Sequence, residues 1–325
     1  MKRFSTSQRI SVTLTSAIAI ALSLWSSPTL AGDPFRSSNP RNIGNNTEAA
    51  FKAFFEEGNY PKAKNYLQQA ESSESSDPMV YGMMASFAYN DENLGSLKAY
   101  IDKTLATAQK LMSNDPLRGH LYTGVGHFLE TGYTFKSEGP LPAVNKLQQV
   151  FKDLEEAKKI DPNDPELNLI QGYMDILLSV HLPFSDPTEA IAQLENKARP
   201  SYLANRGIAV AYRDLKQYDQ ALSYAKQAFD AHPNNPEVNY LKAQLLFKQG
   251  EKQKNLSLLN EAKQLFDNAL AKRQQLPKGL VAQMFFERCQ TQERILGHGL
   301  PCTDKFNLVN SQPGSWGPAE LPPLE

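Results

Sequence analysis

The sequence predicts an all-α solenoid: about six helix pairs followed by one capping helix. Three observations lead there. Prolines open successive units at Pro78, Pro116, Pro165, Pro200 and Pro236, with Pro277 before a last helix, in steps of 38, 49, 35, 36 and 41 residues. The octamer from Asp161 to Asn168 nearly returns as His232 to Asn239, 71 residues later, a distance of two units. Between these marks, apolar residues recur at i, i+3, i+4 and i+7, the spacing of one helix face. Self-similarity at such a period is the signature of a repeat array, so the 325 residues are read as one continuous object rather than two domains.

The first 31 residues are expected to be a signal peptide. Lys2, Arg3 and Arg9 form a positive end, Ile10 to Leu24 is apolar, and Thr29 and Ala31 are the small residues of a cleavage site. An uncleaved anchor is the alternative, but the apolar stretch is short for a span of about 20 residues. Cleavage after Ala31 would take the formal charge from −1 to −4. A mildly acidic mature chain argues against a nucleic-acid partner, and no further apolar run is long enough to cross a membrane. Export to a periplasm, a lumen or the exterior is expected. Residues 32–46 are polar and read as a flexible lead-in.

The first pair begins near Thr47, with Phe51, Phe54 and Phe55 on one face and a turn at Gly58-Asn59-Tyr60-Pro61. Met83, Met84, Phe87 and Ala88 mark the second unit, followed by Leu97 to Leu111. The third unit holds a helix from Gly119 to Thr131, an expanded loop from Gly132 to Pro142, and a second helix from Val144 to Ile160. The fourth starts at Pro165 and is interrupted at His181–Pro187. The fifth, Pro200 to Pro236, is the clearest: Ile208, Ala209 and Tyr212 line the first helix, Asp214 to Gln217 is a polar break, and Ala221, Ala225 and Ala228 line the second. A stripe of alanines lets two helices approach closely. The sixth unit is expected to turn at Gly250, with an insertion before Ala262. Leu280 to Leu296 reads as the cap, since a terminal repeat must cover an apolar face that has no next neighbour.

The fifth unit resembles a tetratricopeptide repeat (TPR). The resemblance rests on Ala211-Tyr212, the run Tyr218-Asp219-x-Ala221-Leu222, Tyr224, Ala228 and the ending Pro233-Asn234-Asn235. It departs from the family where Asn205 replaces a large aromatic and Lys216 replaces a turn glycine. The family period is about 34 residues, so the longer steps fall on units that look expanded by their own composition. The resemblance implies a right-handed α-solenoid over residues 47–296. The whole chain is also similar to exported TPR proteins of cyanobacteria.

In this family the first helix of each pair lines a concave groove. The resemblance therefore places Tyr173, Arg206, Arg213, Tyr240, Gln244 and Lys248 on a peptide-binding face. Arg206 and Arg213 are seven apart and share one helix face. Arginine grips carboxylates through a planar fork, so a partner with acidic groups is expected. A solvated charged face is the plainer reading of the same residues. The function implied is a non-catalytic interaction scaffold for a peptide or partner protein, with no cofactor. A self-associating assembly subunit is one alternative.

A metal-dependent hydrolase on His120, His127 and Glu130, which can share one helix face, is the other. It would need ligands from elsewhere. Gly124-x-Gly126 follows a helical pattern and is no dinucleotide fingerprint, and no HExxH, P-loop or GxSxG occurs. Cys289 and Cys302, the only cysteines, point to one disulfide in an exported chain, with two free thiols as the alternative. Residues 297–325 are expected as a loop and a loose Pro/Gly-rich tail, although Trp316 is out of place in a free tail.

Overall fold

The computed structural model describes residues 32–181 and 187–324. The expected signal peptide lies outside them, as does most of the expected interruption at His181–Pro187. Within the described residues the chain forms fourteen α-helices. They pair as α1 (Asn45–Phe51) with α2 (Tyr60–Ser73), α3 (Pro78–Asn90) with α4 (Leu94–Leu111), and α5 (Pro116–Glu138) with α6 (Pro140–Ile160). Then come α7 (Pro165–His181) with α8 (Thr188–Lys197), α9 (Ser201–Asp214) with α10 (Tyr218–Ala231), and α11 (Pro236–Gln253) with α12 (Leu256–Ala271). The cap is α13 (Lys278–Leu296), and α14 (Cys302–Asn310) folds beside it. This is an all-α solenoid of helix pairs.

Local chemistry explains why the unit-opening prolines marked the boundaries. Asp77, Asp115, Asp164 and Asn235 each accept a backbone N–H of the first helical turn with the side chain. Each is followed by proline at the first helical position, where a missing N–H costs nothing. The second helices α2, α4 and α12 are capped by Asn59, Asn93 and Asn255 in the same way. Turns between helices place Gly58, Glu92, Lys216 and Lys254 in the left-handed region, with φ of 61°, 54°, 60° and 53°. Three are not glycine, at about 1–2 kcal/mol each, so Lys216 adopts the backbone of the glycine it replaces.

The alanine stripe packs as expected, with Ala221, Ala225 and Ala228 all fully buried. Two expectations are corrected. The loop at Gly132–Pro142 does not exist: α5 runs through to Glu138 and α6 starts at Pro140. Gly139 alone turns the chain, at φ 95°, and Pro140 sits where proline opens a helix well. The long 49-residue step across the third unit is thus two long helices, not an insertion. Nor does the sixth unit turn at Gly250, which lies inside α11 with Leu259 at its Cα; the turn comes at Lys254 and α12 follows at once.

Residues 32–44, most of the expected flexible lead-in at 32–46, form a strap across the starts of α5 and α7. Phe35 and Ile43 are buried. Arg36 pairs with Asp33, Asp164 and Glu166. Arg41 pairs with Asp115 at 2.6 Å and Glu166 at 2.9 Å. Behind the strap, Arg118 donates to Asp77 Oδ1 (3.0 Å) and reaches Glu166 Oε1 (3.4 Å), and the Tyr122 hydroxyl donates to the same Glu166 oxygen (2.8 Å). Three arginines thus serve five carboxylates. The helix N-termini offset the surplus, because their dipoles favour negative charge.

The two ends of the solenoid meet. Asn235 Nδ2, besides its cap, donates to the Phe55 and Glu56 carbonyls (2.9 and 3.1 Å) at the end of α1, whose last turn (Lys52–Glu56) is a π-helix. The Tyr60 hydroxyl donates to Glu237 (2.9 Å). Gly58 sits in the joint, where an added Cβ would lie 2.8 Å from Pro236 Cδ. The C-terminal tail reinforces the closure. Lys278 N donates to the Ser315 carbonyl and Gly317 N to the Leu276 carbonyl. The Trp316 indole stands edge-on to Phe87 of α3, 6.5 Å between centroids, with Lys64 of α2 over it. The tail expected to be loose is docked, and the tryptophan that looked out of place explains why.

Candidate binding groove and internal cavity

The first helices of the pairs face the inside of the ring, and they carry the six expected groove residues. These residues divide into two environments. Tyr173 and Arg206 lie in the wall of an internal cavity. Arg213, Gln244 and Lys248 lie on an open polar stretch across α9, α11 and α13, with Tyr240 packed beside it.

Arg206 is not available as an anion clamp. Its Nη2 lies 3.1 Å from Glu237 Oε1, the carboxylate that also holds Tyr60. Burial pulls the guanidinium pKa down, and Glu237 with the neighbouring tyrosines pulls it up by more, so it stays charged with its value above the ordinary one. Sequence reasoning had the signal for this pair and passed it over. Glu166 and Glu237 occupy the same place in the recurring octamer, and each receives an arginine from an earlier first helix, Arg118 and Arg206. The octamer's asparagines are equally structural: Asn168 and Asn239 donate to the carbonyls of Pro162 and Pro233. Tyr173 donates to the Leu203 carbonyl at 2.7 Å, and burial pushes its hydroxyl up to about 12.

On the polar stretch, Arg213 donates to Asp214 (2.9 Å) and to Gln244 Oε1 (3.0 Å). Gln244 in turn donates to Glu287 of α13 (2.9 Å), which accepts from Tyr240 as well (3.0 Å). A polar ladder therefore steps across three successive first helices. Lys248 and Arg294 flank it, both on Glu251. Arg213, Lys248 and Arg294 are matched by Asp214, Glu251 and Glu287, so the ladder is balanced in charge rather than basic.

Below the ladder the inner side of the ring holds a partly open cavity of about 880 Å³ between α1, α3, α5, α7 and α9. Aromatic and thioether side chains dominate its wall, among them Phe51, Phe54, Met79, Met83 and Met174. Periodicity had placed Phe51, Phe54 and Met83 on apolar helix faces without distinguishing a filled interior from a hollow one.

The His120, His127 and Glu130 constellation of the alternative hydrolase reading is drawn apart by other partners. His127 Nδ1 lies 2.6 Å from Asp153 Oδ2, and Glu130 pairs with Lys146 at 3.0 Å. Among the described residues no three His, Cys, Asp or Glu side chains are grouped to hold a metal ion. Gly124 and Gly126 are helical positions of α5, against Leu154 and Leu105. Cys289 and Cys302 form a disulfide with Cα atoms 5.6 Å apart, tying α14 to the cap. No helix among the described residues is long and apolar enough to cross a membrane.

Residues 206–270 match the family model described as tetratricopeptide repeat. No curated protein matches the chain. Among solved structures, the chain is similar to the TPR protein TTC0263 of Thermus thermophilus, at 18% identity and a TM-score of 0.44, covering 62% of this chain and 97% of that one. It is also similar to PilW, a type IV pilus biogenesis factor, at 15% identity and a TM-score of 0.43, covering 71% and 90%. A human IFIT1 dimer with m7Gppp-AAAA aligns at 17% identity and a TM-score of 0.41, covering 80% of this chain and 60% of that one. The tetratricopeptide-repeat match thus falls on the fifth and sixth helix pairs.

Proposed function

We propose that the protein is an exported, non-catalytic interaction scaffold that holds an extended segment of a partner protein along the ladder of Arg213, Gln244 and Glu287. The observation that supports this is the ladder itself. It lies on the concave side of three adjacent first helices and offers both donors and acceptors. Its members are bonded to one another, so a partner exchanges these bonds for its own; such exchange contributes modestly per bond and gives register rather than bulk affinity. Acidic groups of the partner compete with Asp214 for Arg213, and with Glu251 for Lys248. The export half of the reading rests on the N-terminal sequence pattern.

The test is affinity capture from envelope extract with residues 32–325, beside an Arg213→Glu, Lys248→Glu variant whose helix content is verified by circular dichroism. A partner retained by the parent and lost by the variant supports the ladder. Equal capture by both places binding elsewhere. One observation favours a second reading, self-association. Phe135, Leu141 and Val144 stand exposed around the α5–α6 turn, Leu141 at 81%. Light scattering on the purified protein decides it, and a monomer at micromolar concentration removes it.

A further inference from the structure

The cavity inside the ring has a chemistry that the ladder lacks. From its polar-group accounting we infer that it is a binding site for an elongated hydrocarbon with a single polar end, such as a long-chain fatty acid. The volume of about 880 Å³ falls within the roughly 300–1,000 Å³ usual for small-molecule sites. The polar side chains that reach the wall already have partners inside the protein. Ser86 donates to the Gly82 carbonyl and Tyr122 to Glu166. Tyr173 donates to the Leu203 carbonyl. Tyr60 and Arg206 share Glu237. The backbone of the lining helices is committed to their own hydrogen bonds.

A peptide entering this space would bring an N–H and a C=O with every residue and find almost nothing to pair them with, and burying unpaired amides is costly. A hydrocarbon chain carries no such groups. Met79, Met83 and Met174 add three flexible, polarisable side chains, which fit a ligand of variable shape better than a rigid wall does. The lining is most open near Leu177, which is 47% exposed, and near Val210, Arg213 and Asp214. Arg213 is the cation at that mouth, so the polar end belongs there and a carboxylate suits it. The two readings share Arg213 and Asp214 at the mouth but differ elsewhere, because the apolar wall lies on α3, α5, α7 and α9 and the ladder runs on to α11 and α13.

The experiment is a fluorescence titration of residues 32–325 with cis-parinaric acid, an 18-carbon polyene fatty acid, followed by displacement with palmitate or hexadecanol. Saturable binding at one site per chain, reversed by palmitate, is expected. Gly82 and Ser86 lie one turn apart on α3, and a Cβ at Gly82 would meet only Val125 Cγ1, at an ordinary 3.7 Å. The Gly82→Leu, Ser86→Leu variant therefore fills the cavity from a helix made stronger by losing a glycine. It is expected to weaken parinarate at least about 20-fold while keeping the parent's circular dichroism. If it loses helix, Ser86→Leu alone takes its place with a loss of about 5-fold. Arg213→Gln is expected to weaken palmitate about 5-fold and leave hexadecanol unchanged. Leu141→Ser, on the exposed α6 surface, is expected to change nothing. No saturable binding by the parent overturns the inference. So does unchanged binding in a folded cavity-filled variant, or a loss in Leu141→Ser equal to that in the filled variant.

Discussion

Replacing Arg118 by methionine isolates what the buried ionic network contributes. The substitution keeps an unbranched side chain of similar reach, so packing against Tyr122 changes little while the charge and its donors go. Arg118 is 5% exposed. Burial alone would lower its pKa, and Glu166 with Asp77 more than reverses that, so it is charged in the folded protein. Losing it affects its two partners unequally. Glu166 keeps Arg36, Arg41 and the Tyr122 hydroxyl. Asp77 keeps only the backbone N–H of Met79 that it caps. One carboxylate of the two is stranded. The cost therefore belongs near the lower end of the 3–5 kcal/mol typical for removing one partner of a buried pair, about 3 kcal/mol.

Urea unfolding reads this, followed by far-ultraviolet circular dichroism and by Trp316 emission, the single tryptophan of residues 32–325. Agreement of the two probes checks that a single transition is being measured. Asp77→Asn keeps a good capping side chain and removes the stranded charge. The double variant Asp77→Asn, Arg118→Met should then cost about 1–3 kcal/mol less than the two single costs added together. A cost under about 1 kcal/mol for Arg118→Met, or strict additivity in the double variant, refutes the account of the network.

Asn235→Ala removes a cap, typically about 1 kcal/mol, and two donors to the Phe55 and Glu56 carbonyls at about 1 kcal/mol each. A loss of about 2–4 kcal/mol in urea unfolding is expected, whereas Asn235→Asp keeps the cap and shows the donor half alone. Reducing the Cys289–Cys302 bond opens a short loop and should cost about 3 kcal/mol by the chain-entropy estimate, seen as a lower melting temperature with reductant in the parent and none in Cys289→Ser, Cys302→Ser. Alkali should destabilise the protein. Burial raises the folded pKa of Tyr122 and pushes that of Tyr173 up to about 12, from an ordinary 10.0. The unfolded chain therefore releases these protons first, so stability is intact below pH 10 and falls as the pH rises from 10 through 12. Unfolding midpoints measured between pH 8 and 12, with tyrosinate absorbance alongside, should show the fall; a flat profile contradicts it.

Much of the fold was legible because its signals are local. An Asx–Pro step carries its own cap, and alanines at i, i+4 and i+7 announce a close-packed face wherever they occur. Local reading failed where a residue's usual meaning was reversed by its neighbours. Gly132 and Gly250 looked like breakers, yet both are helical, and one residue, Gly139, makes the turn that eleven were given. Partnerships between units had no local trace. Arg206 and Arg213 look identical on a helical wheel, but one is spent on Glu237 and the other faces the mouth of a cavity. The recurring octamer held part of that answer, since a glutamate repeated beside two helix starts needs a repeated cation. Whether the aromatic and methionine faces close on each other or line a hollow depends on how far the ring curves, which no spacing encodes.

Closing the ring alters how the chain must fold. In an open array each repeat touches only its neighbours, so an end unit can peel away at the cost of one interface. Here the first pair is bonded to the sixth, with Asn235 and Phe55 separated by 180 residues. Neither end is free to fray until that joint opens, which couples the outermost pairs into one cooperative unit. The entropy of closing so long a loop grows only with the logarithm of its length, so the joint is tolerable at equilibrium. Its burden is kinetic, because contacts distant in sequence are the slow ones to find. The interior pairs can assemble by local contacts, whereas the cavity between them is complete only once residues 55 and 235 have met.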